Sequence, residues 1–163
     1  MKLGVSFFTF PINIPVFEAL EQCAKAGYEG VELVLSRSGD LTPDIPSEKL
    51  ADIKRKVSDL GLKVISIGAD NVWEHNLASD DAHERDLAID NIKRQISFAT
   101  FFGADLALVV PGWVGTPFTS GQVQYDHAYE NSQESLRKLS PFASSAKITI
   151  GIENVWNKFL LSP

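Results

Sequence analysis

The fold of this chain is constrained most by a regular alternation between short apolar runs and longer segments with helical periodicity. Five runs rich in β-branched and aromatic residues predict strands, over residues 2–9, 30–36, 63–69, 106–110 and 148–153. Apolar residues at helical spacing predict four intervening helices, between residues 15 and 27, 47 and 61, 83 and 102, and from about residue 125 onward. Repeated strand–helix units indicate a parallel sheet with right-handed crossover connections.

Two residues suggest where helices begin or bend. Ser47 is a residue type that caps helix N-termini, so we expect it to be the cap of the second helix. Pro141 falls inside the fourth helical segment. It should kink or restart that helix, because proline lacks the N–H of the helical hydrogen bond.

Two architectures fit this order of elements: an open, doubly wound sheet and part of a (β/α)8 (TIM) barrel. Along the strands, small or polar residues alternate with bulky ones; the first set is Gly4, Ser6, Glu32, Val34, Ser66, Gly68, Gly151 and Glu153, and the second is Leu3, Val5, Val31, Leu33, Ile65, Ile67, Ile150 and Ile152. This favours the barrel, in which one parity faces the crowded interior and the other faces the helices. The phosphate-binding motifs GxGxxG and GxxxxGKS of doubly wound proteins are absent. We therefore predict an α/β fold and a single domain over residues 1–163, a partial (β/α)8 barrel with about five parallel strands in sequential order and four helices.

Composition excludes several classes of protein. With 44% hydrophobic residues the chain can build a core, and no run approaches the ~18 apolar residues of a membrane helix. A net charge of -6 without basic clusters argues against nucleic acid or an anionic membrane as partner. The single cysteine, Cys23, cannot form an internal disulfide, which fits a reducing, cytoplasmic location.

The segment from residue 150 to the end is the most informative about chemistry. Glu153 ends an apolar strand, where a charge is costly unless it is paired or bound to a metal. Barrel enzymes place their active sites at the carboxyl ends of the strands, and carboxylate oxygens suit Mn²⁺ or Mg²⁺. From its position alone, Glu153 is as well explained by a buried salt bridge as by a metal or catalytic role.

Motifs along the whole chain carry a resemblance to a known family; they are MKLGVSFFTF at the start, AGYEGVEL at residues 26–33, AIDNIKRQISFATFFGAD at residues 88–105, VVPG at residues 109–112 and IGIENVWNKFLLSP at the end. In these motifs the chain resembles the sugar phosphate isomerase/epimerase family. These are xylose isomerase-like barrels that include tagatose/psicose epimerases and hydroxypyruvate isomerase. The last motif resembles the fifth-strand glutamate segment of the metal-dependent members.

The resemblance implies isomerisation or epimerisation of a ketose or aldose sugar, or of a sugar phosphate, by proton transfer through an enediolate. It implies a divalent metal (Mn²⁺, Mg²⁺, Co²⁺ or Zn²⁺) and gives Glu153 two roles, metal ligand and catalytic acid or base. The remaining ligands of the family, an Asp, a His and a Glu on strands six to eight, have no positions here. Such barrels need about 250 residues and eight strands. We therefore interpret the chain as the N-terminal part of a xylose isomerase-like barrel, and expect it to be inactive alone and either marginally stable or self-associated.

Five further residues are candidate substrate contacts at the barrel mouth. Aromatic rings there can wall a sugar site and exclude water, which makes Trp73 and Trp113 candidates, although plain loop packing explains them equally well. Phe8 is a candidate because Phe7 and Phe8 end the first strand and one of them should point inward. His75 follows the third strand and Asn157 follows Glu153, and a solvated loop histidine is the alternative for His75.

Two other functions stay open: an inosose dehydratase-like enzyme using the same chemistry, and a non-catalytic α/β domain that binds a small ligand. An endonuclease IV-like enzyme is disfavoured, because that family places a histidine where this chain has Val110. An open coding frame beyond Pro163 would favour an enzyme, and a natural stop there would favour the binding domain.

Overall fold

The computed structural model describes residues 3–117, 119 and 121–161. Its centre is a five-stranded parallel sheet in which each strand pairs with the next along the chain. The strands are β1 Gly4–Ser6, β2 Gly30–Leu35, β3 Lys63–Ala69, β4 Leu106–Val109 and β5 Thr149–Ile152. The predicted strand order and parallel pairing are confirmed.

Four α-helices connect the strands, as predicted; they are α1 Val16–Lys25, α2 Ser47–Asp59, α3 Ala82–Phe102 and α4 Tyr125–Ala146. Short 3₁₀ turns follow β1 and β3, at Phe7–Thr9 and Asn71–Trp73. Because the first turn begins at Phe7, β1 is shorter than the predicted run over residues 2–9, of which residue 2 lies outside the described residues.

The expectation that Ser47 caps α2 is wrong, and the restart expected as one alternative at Pro141 does not occur. Ser47 is the first helical residue of α2, Pro46 occupies the cap position, and no side chain caps the helix. Pro141 lies inside α4, which does not restart there and runs on to Ala146. Proline cannot donate a hydrogen bond to the carbonyl one turn earlier, but Pro141 is exposed, so that carbonyl can face water. The buried residues Leu139 and Ala143, before and after Pro141, pack the helix against the core.

All four helices pack on one face of the sheet. A single core joins apolar residues from the helices and from one parity of the strands; it includes Val16, Leu20, Ile53, Val57, Ile92, Ile96, Leu139, Val31, Leu33, Leu35, Ile67, Ala107 and Val109. Val31, Leu33 and Leu35 alternate along β2 and so point to the same side. The opposite face, which carries Glu32 and Val34, corresponds to the interior of a barrel, and we call it the inner face.

One residue of β3 breaks the predicted alternation. Val31 pairs with Val64 and Glu32 pairs with Ser66, so Ile65 is an extra residue, a β-bulge. A Cβ atom added at Gly4 or Gly30 would lie 2.6 or 2.7 Å from the Ile65 side chain. Ile65 therefore lies on the inner face beside Ser66, and the expectation that it faces the helices with Ile67 is wrong.

Candidate active site

The inner face carries a buried carboxylate held by two strands. Glu32 of β2 is 9% exposed, and its two oxygens accept hydrogen bonds of 2.6 Å from the hydroxyls of Ser6 in β1 and Ser66 in β3. None of the described residues forms an ion pair with Glu32. The register explains the arrangement, because Ser6, Glu32 and Ser66 lie side by side on adjacent strands.

Glu153 follows β5 directly and is half-buried at the carboxyl end of the sheet. Its backbone N–H donates to the carbonyl of Val109 in β4 at 2.9 Å, which continues the strand pairing by one residue. Burial raises the pKa of the Glu153 carboxyl above its ordinary value, and the negative charge of Glu32 raises it further. The Glu32 carboxylate thus acts electrostatically on Glu153, and no ion pair to Glu153 forms among the described residues.

A divalent metal fits this site only in part. Glu153 offers a desolvated carboxylate without a cation beside it, which is the kind of oxygen ligand that Mg²⁺ and Mn²⁺ prefer. Within residues 3–117, 119 and 121–161, however, no group of three or more His, Cys, Asp or Glu side chains could hold a metal. The described part of the chain therefore offers one candidate ligand, Glu153, with Glu32 as an electrostatic neighbour.

All three tryptophans of the chain meet at the mouth. Trp73, from the turn after β3, lies 5.7 Å from Trp113, from the loop after β4, measured between ring centroids. Trp156, from the segment after β5, stacks on Trp73 at 6.1 Å with an interplanar angle of 25°. Trp113 is 6% exposed and Trp156 is 66% exposed, so the cluster runs from the buried base of the mouth to its rim.

Sequence reasoning did not select Trp156, although a signal was present. It lies three residues after Glu153, in the segment after a strand, as Trp73 and Trp113 do.

A cavity of about 510 Å³ opens beside this cluster, between the segments that follow β1, β2 and β3. Phe8, Val34 and Trp73 form part of its apolar wall, and Asp40 and Asp70 contribute carboxylates. The Phe8 ring extends over Gly68, where an added Cβ would lie 3.2 Å from Cε2 of Phe8 and 3.6 Å from the Glu32 carboxyl carbon. Phe8 thus lines this cavity and also lies near the buried Glu32 carboxylate.

His75 lies away from the cavity, against helix α3. Its Nδ1 is 3.2 Å from both carboxylate oxygens of Glu84. Its ring therefore interacts with the helix layer, and a contact with substrate stays a prediction.

Asn157 is 1% exposed, and its amide bonds entirely within the chain. Its Nδ2 donates to the carbonyl of Gly112 at 2.6 Å, and its Oδ1 accepts the N–H of Phe159 at 3.0 Å. Asn157 thus links the loop after β4 to the segment after β5. A substrate contact stays a prediction for this residue too.

Comparison with known proteins agrees with the geometry. A family model described as xylose isomerase-like TIM barrel matches residues 20–162. None of the curated proteins compared with the chain matches it significantly.

Among solved structures, D-psicose 3-epimerase in the presence of D-fructose shares 20% identity at a TM-score of 0.80, over 95% of this chain and 53% of that one. D-psicose 3-epimerase with D-tagatose from Clostridium cellulolyticum H10 shares 17% at 0.80, with coverages of 95% and 53%. The IolI protein with a bound zinc atom shares 20% at 0.71, with coverages of 93% and 51%. The chain spans about half the length of these structures.

Five sequential parallel strands, with the helices on one face and carboxylates on the other, define the wall of a β/α barrel. The chain belongs to the xylose isomerase-like TIM barrel family. No helix in the described ranges is both long and apolar enough to cross a lipid bilayer.

Proposed function

We propose that the protein is a metal-dependent isomerase or epimerase of a ketose or aldose sugar, or of a sugar phosphate. One observation carries the proposal. Glu153 is a half-buried carboxylate at the carboxyl end of the sheet, with its pKa raised and no ion-pair partner among the described residues. A group in that position suits proton transfer at carbon, because a base with a raised pKa takes up a proton more readily.

In this proposal Glu153 takes the proton from the carbon next to the substrate carbonyl, and also provides one oxygen ligand to a divalent cation. When bound, the cation polarises the carbonyl oxygen and balances the negative charge that proton removal leaves on the substrate. The other metal ligands, and the group that returns the proton, come from outside the described residues.

The aromatic residues of the mouth bind and orient the sugar in this proposal. Trp73 and Trp113, with ring centroids 5.7 Å apart, form an apolar wall, and the Phe8 ring lies near the Glu32 carboxylate over Gly68. Sugar rings and carbon chains present C–H groups that pack on such walls, and exclusion of water strengthens the electrostatic interactions at the carboxylates. The two epimerase structures with D-fructose and D-tagatose share this barrel wall, which is consistent with a sugar as ligand.

The test uses protein expressed from its complete gene, stripped of metal and then supplied with Mn²⁺, Mg²⁺, Co²⁺ or Zn²⁺. We expect metal-dependent conversion of at least one ketose or ketose phosphate. Glu153→Gln should lower kcat at least ~10²-fold, the lower end of what a general acid–base group contributes, and should weaken metal binding. The matched control is Glu130→Gln on the exposed face of α4, which should leave turnover and metal affinity unchanged.

Three outcomes would contradict the proposal. Loss of water from an inosose without sugar isomerisation would assign a dehydratase. Binding of a sugar without turnover under any metal would assign a binding domain. Near-normal turnover in Glu153→Gln would remove Glu153 from the chemistry.

A further inference from the structure

Two buried asparagines hold the backbone around Trp113. Asn76, 4% exposed, donates from Nδ2 to the carbonyl of Trp113, and its Oδ1 accepts the N–H of the same residue, both at 3.0 Å. From the other side, the backbone carbonyl of Asn157 accepts the N–H groups of Val114 at 3.2 Å and Gly115 at 3.4 Å. The backbone N–H and the backbone carbonyl of Trp113 are therefore both bound by one side chain, that of Asn76 in the loop after β3.

The close approach of this loop to Asn76 depends on Gly112. Its φ angle is 120°, a conformation that side-chain-bearing residues rarely adopt. A Cβ there would lie 2.8 Å from Oδ1 of Asn76 and 2.6 Å from Cβ of Ala78. The Asn76 amide can reach both sides of the Trp113 residue only because nothing projects from Gly112 into that space.

Asn76 itself is fixed by its own neighbours. Its Oδ1 also accepts the N–H of Ala78 at 3.0 Å, and its backbone N–H donates to Oε1 of Glu84 in α3 at 3.3 Å. The amide thus has a single orientation, set by donors and acceptors on both ends. Since helix α3 anchors the loop that carries Asn76, the position of Trp113 is tied to the rigid helix layer.

We propose that Asn76 is a positioning residue of the active site, which acts through Trp113. By binding both backbone groups of Trp113, it sets the orientation of the indole against Trp73, and so shapes the wall on which the substrate packs. This inference rests on the proposed function for the identity of the substrate, whereas the orientation of Trp113 is independent of it. An indole ring takes no part in proton transfer, so Asn76 affects substrate binding more than the chemical step.

The test compares Asn76→Leu, which loses both hydrogen bonds to Trp113, with Asn76→Asp, which keeps the acceptor and loses the donor. Protein from the complete gene is examined by near-ultraviolet circular dichroism, which reports coupling between close indole rings, and by ketose kinetics. In Asn76→Leu we expect loss of most of the tryptophan signal contributed by the Trp73–Trp113 pair. We also expect KM to rise about tenfold with kcat changed much less, and Asn76→Asp to be intermediate.

Val57→Ala is the matched control for a loss of stability alone. Val57 is a core residue of α2 and is 5% exposed. Its truncation should lower the melting temperature without affecting the loop that carries Trp113. The proposal is overturned if the near-ultraviolet spectrum of Asn76→Leu stays that of the parent protein. A change in KM no larger than in Val57→Ala overturns it as well. If the parent protein converts no sugar, the proposed function has failed, and the spectrum alone decides whether Asn76 orients Trp113.

Discussion

At the scale of single residues, the sheet places two carboxylates in different surroundings. Glu32 is more buried than Glu153, and its two oxygens accept hydrogen bonds from two serine hydroxyls. Glu153 has no such donors among the described residues, and burial together with the charge of Glu32 raises its pKa. The Glu153 carboxyl therefore binds its proton more tightly than an ordinary glutamate does.

A pH dependence of stability follows from this difference. Because the folded state raises the pKa of Glu153, its protonated form stabilises the fold below the unfolded pKa of about 4.3, and that contribution is lost as pH rises through the folded pKa. We expect the free energy of unfolding of Glu153→Gln, relative to that of the parent protein, to be larger at pH 7 than at pH 4. Urea unfolding at the two pH values measures this difference. A difference between the two proteins that does not change with pH would contradict the assignment.

At the scale of elements, β3 and β4 are joined by a side chain where their pairing ends. Their register covers only two residue pairs, the second of which is Ile67 with Ala107. Gln95 of α3, 1% exposed, donates from Nε2 to the carbonyls of Ile67 at 2.6 Å and Leu108 at 2.7 Å. The helix thus supplies the donors to both strands just before the loops that carry Trp73 and Trp113.

Removing the Gln95 hydrogen bonds to the two strands should lower the stability of the protein. Gln95→Leu keeps the side-chain size but leaves two buried carbonyls without their donor, and we expect a loss of about 2 kcal/mol in the free energy of unfolding. Gln22→Leu, on the exposed face of α1, is the control and should change stability by less than about 0.5 kcal/mol. Equal effects of the two substitutions in urea unfolding would show that the Gln95 bonds contribute nothing.

The periodicity of the sequence was sufficient for the strands, helices and strand order, because burial of one face repeats along each element. Glu153 could be selected as a candidate because a charge at the end of an apolar strand is costly and because its segment resembles the fifth-strand glutamate segment of the family. The bulge at Ile65 was not, since its register depends on the partner strand. Asn76 and Gln95 are polar residues whose partners, Trp113 and the strand carbonyls, lie far away in the sequence. Local sequence patterns therefore do not predict these pairings.

At the scale of the whole molecule, the described sheet has two strands with a single partner each, β1 and β5. Large apolar side chains lie exposed at or near them: Leu3 is 56% exposed, and Ile65 and Ile152 are each 46% exposed. Unpaired strand edges and exposed apolar residues favour association. On the inner face, Ile65 stays exposed, whereas Glu32, Val34 and Ser66 are buried.

We therefore expect residues 1–163 by themselves to self-associate or to unfold with low cooperativity, and to convert no ketose in the presence of Mn²⁺. Light scattering combined with thermal melting and an epimerisation assay checks this directly. Ile152→Lys should reduce the associated fraction, because a charge beside an edge strand opposes pairing with another sheet. A cooperative monomer with metal-dependent turnover would contradict the expectation.

The sequential order of the strands also has a consequence for how the chain acquires its structure. Each described strand pairs with the strand one helix away along the chain, the shortest kind of connection that a parallel pair allows. During synthesis, each strand–helix unit can dock on the one before it as soon as it leaves the ribosome, since domains form from the N-terminus at the pace of translation. The unpaired edge of β5 is then the place where a further strand would pair with the sheet.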